Sequence, residues 1–306
     1  MRQLTFFSLL VIFIFGCHKN EPTKPQPEDQ HPITGNRVAG FRASRILSSY
    51  PNHQFPSAEY WQSVADSMAA KFDSTAPGGI WIVSLYQSGG VTRLNFPLMG
   101  NYPYITDISE EQNEDYLNYF DAHGTNIWLQ VEPGAASVDT LIYLVLNRYK
   151  HHPCVVGFGV DVEWYLTNQY SGGKKVSDEE AKRWEAKVKK VNPDYTLFLK
   201  HYSASWMPPT YRGDIIFVDD SQNYTGYSRP LDAMVNEFYD WGQRFAPAKV
   251  AFQYGYPNDQ SWWQNLSDPP GDIGRRLIEV IPNCYGLFWV DFTVTEVFPI
   301  STGDNR

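Results

Sequence analysis

Cys154-Val155-Val156-Gly157-Phe158-Gly159-Val160-Asp161-Val162-Glu163-Trp164-Tyr165 is a glycine-punctuated apolar run that ends in two carboxylates. Rich in Val and Phe and lacking polar alternation, it reads as a parallel strand covered on both faces. Side chains two apart on a strand share a face and stand roughly 6.6 Å apart along it. Asp161 and Glu163 are therefore expected to point the same way, toward one substrate.

Working outward, the same kind of run recurs along the chain. Strands are expected at 38–43, 79–86, 126–132, 195–201, 214–219, 249–254 and 285–291, with helical patterns between most of them. Ser57 is expected to cap a helix whose buried face carries Trp61, Val64, Ala65, Met68 and Phe72. Ser109 with Gln112, and Ser177 with Glu180, read as capping boxes. His123-Gly124 and Asn192-Pro193 read as helix stops. About eight strands over roughly 265 residues match the size and alternation of a single-domain (β/α)₈ TIM barrel, an α/β fold. The first strand has no Gly-rich phosphate turn, which argues against a doubly wound dinucleotide-binding sheet.

The chain has 306 residues, 42% hydrophobic, and a formal charge of -9. That balance, with no Lys/Arg run, argues against a nucleic-acid partner and suits a neutral ligand. Aromatic residues make up 16% of the chain, including ten Trp and twenty Tyr, and such flat, partly polar faces suit sugar rings. At the N-terminus, the apolar stretch from Leu4 to Phe15 is too short to span a bilayer and reads as a signal segment. Ile14-Phe15-Gly16-Cys17 resembles the bacterial lipoprotein processing site, which implies lipid attachment at Cys17. Residues 18–36 carry four prolines and read as a solvated tether, leaving 37–306 for the barrel. The expected location is the envelope of a Gram-negative-type bacterium, outer membrane or periplasmic face, with membrane contact through the anchor only. A monomer without a cofactor is expected. Cys154 and Cys284, each just before a strand, would lie across the barrel bottom, too far apart to bond.

A barrel places its site at the C-terminal strand ends. Polar and aromatic residues there are Arg42, Tyr86, Glu132, Asp161, Glu163, His201, Tyr202, Asp219, Asp220, Gln222, Gln253, Tyr254, Trp289 and Asp291. Trp164, Trp206, Trp262, Trp263 and Trp289 are candidate sugar platforms, whereas Trp61, Trp81, Trp128, Trp184 and Trp241 lie within elements and read as core. His151-His152-Pro153 has no third ligand at metal spacing, so no metal site is expected. His201 is not accompanied by a Ser or Cys nucleophile motif.

Gly157-Phe158-Gly159-Val160-Asp161-Val162-Glu163 resembles the fourth-strand signature of the family 18 glycoside hydrolases, the chitinases and endo-β-N-acetylglucosaminidases, which runs Asp-Gly-x-Asp-x-Asp-x-Glu. Gly157, Asp161 and Glu163 match; the two earlier Asp positions are Val156 and Gly159. Tyr285-Gly286-Leu287-Phe288-Trp289 resembles that family's last strand, with its Trp at the floor of the sugar subsite. Phe217-Val218-Asp219-Asp220 keeps only the final Asp of the family's Met-x-Tyr-Asp. The resemblance implies cleavage of an N-acetylglucosamine-containing glycan. Glu163 would be the general acid, and Asp161 would orient a substrate N-acetyl group acting as internal nucleophile. A sugar lacking that group would need a second carboxylate, with Asp219, Asp291 and Glu132 the candidates in that order. Two other readings stay open. One is a surface lipoprotein that binds glycans without cleaving them. The other is a muramidase, because Asp161-Val162-Glu163 also resembles the Asp-x-Glu of the family 25 lysozymes, and Asp291 could supply an eighth-strand acid.

Overall fold

The computed structural model describes residues 37–170 and 172–300. The expected signal segment at 1–17 with Cys17, the expected tether at 18–36 and residues 301–306 lie outside the described residues.

Ten strands are present: β1 Arg37–Ala43, β2 Thr75–Gln87, β3 Val91–Leu94, β4 Ile105–Thr106, β5 Asn126–Val131, β6 Val155–Asp161, β7 Thr196–Lys200, β8 Ile215–Asp219, β9 Val250–Tyr254 and β10 Cys284–Val290. Eight of them run parallel in the order β1-β10-β9-β8-β7-β6-β5-β2, and β1 pairs with β2 to close the ring. This is the expected eight-stranded α/β barrel. β3 and β4 extend the β2 edge outside the ring.

The helices are α1 Ala58–Ala69, α2 Glu114–His123, α3 Val138–Tyr149, α4 Asp178–Val191, α5 Pro230–Phe245, α6 Gln260–Trp263, α7 Pro269–Val280 and α8 Val294–Val297. Ser57 accepts from the Tyr60 N–H, and Ser177 and Glu180 close a full capping box. Gly124 ends α2 at φ 71°, a left-handed position that suits glycine. Ser109 and Gln112 do not form the expected box: α2 starts later, behind Asn113, whose side chain is committed to Trp81, Asn95 and Tyr149 instead of the helix end. No α-helix joins β7 to β8; the chain crosses there on a short turn at Ala204–Trp206.

The period of two along each strand separates two cores. Ile80, Trp128, Phe198, Ile216, Ala251 and Phe288 fill the barrel interior, so the barrel is packed and has no open bore. Phe158, Val160, Leu197, Leu199, Phe217 and Leu287 point outward onto the helices. The five tryptophans read as core are all buried. Cys154 and Cys284 are buried and free.

Candidate active site

The inward-facing positions turn polar at the C-terminal end of the ring. Arg42 continues the inward row of β1, Gln130 and Glu132 that of β5, Asp161 that of β6, Lys200 that of β7, Asp220 that of β8 and Gln253 that of β9. All seven are buried. They form a polar layer directly above the aromatic plug of the barrel.

Lys200 is the hub. It sits in register with Asp161 on the adjacent strand, and its Nζ lies 2.9 Å from Asp161 Oδ2 and 2.5 Å from Asp220 Oδ2. Burial works against its charge, but Asp161 and Asp220 outweigh that and hold its pKa well above the usual lysine value. Burial lifts the Asp161 carboxyl above its ordinary range while Lys200 pulls it back. Gln130 Nε2 donates to Asp161 Oδ2 at 3.3 Å, and Tyr256 bridges Asp220 and Gln253 through its hydroxyl.

Several polar atoms in this layer have no partner among the described residues: Gln130 Oε1, Asp161 Oδ1, Asp220 Oδ1, Gln253 Nε2 and Arg42 Nε. Buried polar atoms are normally hydrogen-bonded. Donors and acceptors mixed in one layer are suited to the hydroxyls of a sugar, each of which both donates and accepts.

Glu163 stands above the layer. The strand ends at Asp161, and Val162–Trp164 form a 3₁₀ turn, so the strand period does not align the two acids as the sequence predicts. They are nevertheless close enough to act on one another: burial, and then the Asp161 and Asp220 charges against the pull of Lys200, push Glu163 up to about 7. Glu163 is half-buried and lines a cavity of about 240 Å³ with Tyr202, Asp220, Ser221, Gln222 and Glu237. No described residue hydrogen-bonds its carboxyl, which leaves it open to a ligand. Trp164 stacks on Tyr86 at 4.7 Å and 20° and stays partly exposed, as a platform would. Trp206 stacks on His201 at 4.9 Å and 9°. Burial lowers His201 to about 4, and its Nδ1 accepts from the Ser203 N–H, so the ring is a neutral neighbour of the layer and not a base.

Glu132 faces the same layer. Its Oε2 accepts from the Tyr86 N–H at 2.7 Å, and burial together with the Asp161 charge pushes it up to about 7. A second cavity, about 260 Å³, opens beside the ends of β1 and β2 and is lined by Arg45, Ser84, Arg93 and Asn95.

Five candidates are taken up by contacts outside the cavity. Asp219 is one residue out of phase with Asp220; it points to the helix layer, where its Oδ1 accepts from the Ser221 N–H and Oγ at 2.8 and 2.7 Å. Tyr254 is out of phase with Gln253 and donates to the Pro270 carbonyl at 3.1 Å. Trp289 is wholly buried between Tyr254 and Trp263, with its Nε1 on Thr293 Oγ1, and Trp263 is buried with it, so neither is a sugar platform. Asp291 is fully committed: one oxygen pairs with Arg42, and the other accepts from the Ser44 N–H, the Ser44 Oγ and the Tyr50 hydroxyl at 2.7, 2.6 and 2.9 Å. It clamps the β1 and β10 ends together. Gln222 accepts from Asn258 Nδ2 at 3.0 Å at the cavity rim, and Tyr202 is 52% exposed there.

Sequence reasoning missed Lys200 and Gln130. Their signal was available: each is the inward, polar end of an otherwise apolar strand. Glu237 reaches the cavity from α5, and no strand-end rule could find it.

No known family model matches the chain, and no curated protein matches it. Among solved structures it is similar to an endo-beta-mannanase/endo-beta-glucanase of Prevotella bryantii, with 12% identity, 83% of this chain and 44% of that chain covered, and a TM-score of 0.48. It is also similar to a broad-specificity endoglucanase from an uncultured bacterium, with 10% identity, 88% and 92% covered, and a TM-score of 0.47. A third is a beta-galacturonidase from Eisenbergiella tayi, with 12% identity, 86% and 45% covered, and a TM-score of 0.45. The chain spans less than half the length of the first and third of these.

Proposed function

We propose that this chain is a glycoside hydrolase that cleaves an N-acetylglucosamine-containing glycan at the C-terminal mouth of its barrel, with Glu163 as the proton donor. One observation carries the reading: a carboxyl with no hydrogen-bond partner among the described residues, held near neutrality, beside a cavity floored by a buried polar layer. A group poised near 7 can give a proton to a leaving oxygen and take one back from water.

In the substrate-assisted form, Glu163 protonates the glycosidic oxygen as the bond to the anomeric carbon breaks. The acetamido oxygen of the sugar closes on that carbon, with Asp161 holding the acetamido N–H. Water then opens the ring and gives its proton to the Glu163 carboxylate. For a sugar without the acetamido group, the second carboxylate falls to Glu132, because Asp219 faces the helices and Asp291 is saturated. Trp164 with Tyr86 forms the aromatic wall, and Tyr202 and Gln222 stand at the rim. The enzyme would be carried on the cell envelope by a lipid at Cys17; Cys17→Ser is expected to move it from the membrane to the soluble fraction.

The test is release of reducing ends from chitin oligomers, N-glycans and peptidoglycan. Wild type is expected to act on one of these, and Glu163→Gln to bind the same glycan without cleaving it. Saturable binding with no product from any glycan would replace the proposal with a binding protein, and clearing of peptidoglycan alone would turn it toward a muramidase.

A further inference from the structure

Away from the barrel mouth, two histidines and a glutamate converge. His151 and His152 lie on the loop from α3 into the start of β6, and Glu114 is the first residue of α2. His152 is buried; its Nδ1 lies 2.7 Å from Asp121 Oδ2 and its Nε2 3.1 Å from Glu114 Oε2. His151 Nδ1 lies 3.0 Å from the Arg148 carbonyl oxygen, and its Nε2 lies 3.4 Å from the same Glu114 Oε2.

Both Nδ1 atoms therefore face acceptors and must carry the ring proton, and a neutral imidazole has only one. The two Nε2 lone pairs then point, together with a carboxylate oxygen, at one spot that no other described residue supplies with a donor. One cation would satisfy the three lone pairs together.

The geometry points to a binding site for one divalent transition-metal ion of the zinc type, held by His151 Nε2, His152 Nε2 and Glu114 Oε2. Ligands about 2.0–2.1 Å from a tetrahedral ion stand about 3.3 Å from one another, and the two nitrogens stand 3.1 and 3.4 Å from the glutamate oxygen. The three ligand atoms all lie within 4.8 Å of each other. The outer partners are those such a site uses: a carboxylate on one Nδ1 and a backbone carbonyl on the other fix both tautomers with Nε2 free. Imidazole and carboxylate donors suit zinc better than calcium or magnesium. His151 is exposed, leaving a fourth position for water. The ion would tie α2 to the loop that starts β6, on the side of the barrel away from Glu163, so its role is structural. Reading the histidines along the sequence could not find the third ligand, because Glu114 arrives from another helix.

The test uses the full chain, stripped with a chelator and titrated with Zn²⁺, and separately with Co²⁺ as a spectroscopic probe. The expected results are saturation at one equivalent, the visible absorption of four-coordinate Co²⁺, and a higher melting temperature with metal. His151→Ala removes only an exposed ring, and Glu114→Gln keeps the side-chain shape. Each is expected to weaken Zn²⁺ binding at least tenfold, roughly the scale at which zinc sites respond even to loss of an outer partner, while the metal-free protein melts as wild type does. No saturable uptake at one equivalent, or wild-type affinity in either variant, would overturn the proposal.

Discussion

Replacing Lys200 with Met tests whether the polar layer is an electrostatic unit. The Nζ lies 2.9 Å from one carboxylate and 2.5 Å from another, all three groups being buried. At an effective dielectric of about 20, each contact is worth roughly 6 kcal/mol of gross Coulomb attraction. Much of that offsets the cost of taking three charges out of water, and removing one member of a buried set costs about 3–5 kcal/mol net. For a domain of this size that corresponds to a fall of roughly 10 °C in melting temperature. The penalty must also depend on pH. Without the lysine, Asp161 and Glu163 both lose a cation that favours their charged forms, so their folded pKa values rise further above the unfolded ones. Carboxyls raised in this way cost stability only once the pH exceeds their unfolded values, so the penalty should be small near pH 4 and fully developed by pH 8. Urea unfolding of wild type and Lys200→Met at pH 4.5 and 8 measures it. A variant as stable as wild type at pH 8, or a penalty that does not change with pH, would refute the triad as described.

Glu163→Gln should lower turnover about 10²- to 10⁴-fold with little change in melting temperature, since no hydrogen bond of its carboxyl to a described residue is lost. The pH dependence of kcat/KM should fall on the alkaline side through about 7, where Glu163 loses the proton it must donate; an alkaline limb near 10 would implicate another group. Glu132, at about 7 folded against 4.5 unfolded, makes wild type lose stability as the pH rises through that window. Glu132→Gln keeps an acceptor for the Tyr86 N–H and should be more stable than wild type above pH 7 by at most about 3 kcal/mol, an advantage that vanishes near pH 4, as paired unfolding curves would show. Trp289→Ala should destabilise by about 3–5 kcal/mol as a core deletion, whereas Trp164→Ala should chiefly raise KM; the reverse pattern would return Trp289 to the sugar site.

The barrel was legible because eight apolar strands and their helices carry the right periods, and because Ser57, Ser177 and Gly124 mark helix ends locally. The site was legible only as a level in the fold. Strand ends mark its expected height, but the facing of each side chain follows a period of two, and choosing every polar residue at a strand end mixes both faces. Asp219 and Asp220, or Gln253 and Tyr254, differ by one residue and by the whole thickness of the sheet. The inward rows marked by Trp128, Phe198, Val218 and Ala251 lead to Gln130, Lys200, Asp220 and Gln253, so phase could have separated them. The commitment of Asp291 to Arg42, Ser44 and Tyr50, and the meeting of Glu114 with His151 and His152, arise from residues far apart in the chain and have no local signal.

The glycine at position 159 of β6 has a packing cause. A Cβ on Gly159 would stand 1.9 Å from the Phe198 ring, so the volume an inward acid would occupy is filled from the neighbouring strand. Phe198 caps the aromatic plug, and two residues further along the same strand Lys200 meets Asp161. One strand thus takes away the room for one carboxylate and supplies the counter-charge for the next. Asp161 is tied to Lys200 and Gln130, while the Glu163 carboxyl, beyond the strand end, has no hydrogen bond or ion pair to a described residue. In the proposed mechanism this difference would give the proton-moving role to Glu163 and leave Asp161 to orient. Gly159→Asp offers a direct check: it should fail to fold unless Phe198 is shortened to Ala in the same chain, and a stable single variant would mean that the plug yields more easily than its packing implies.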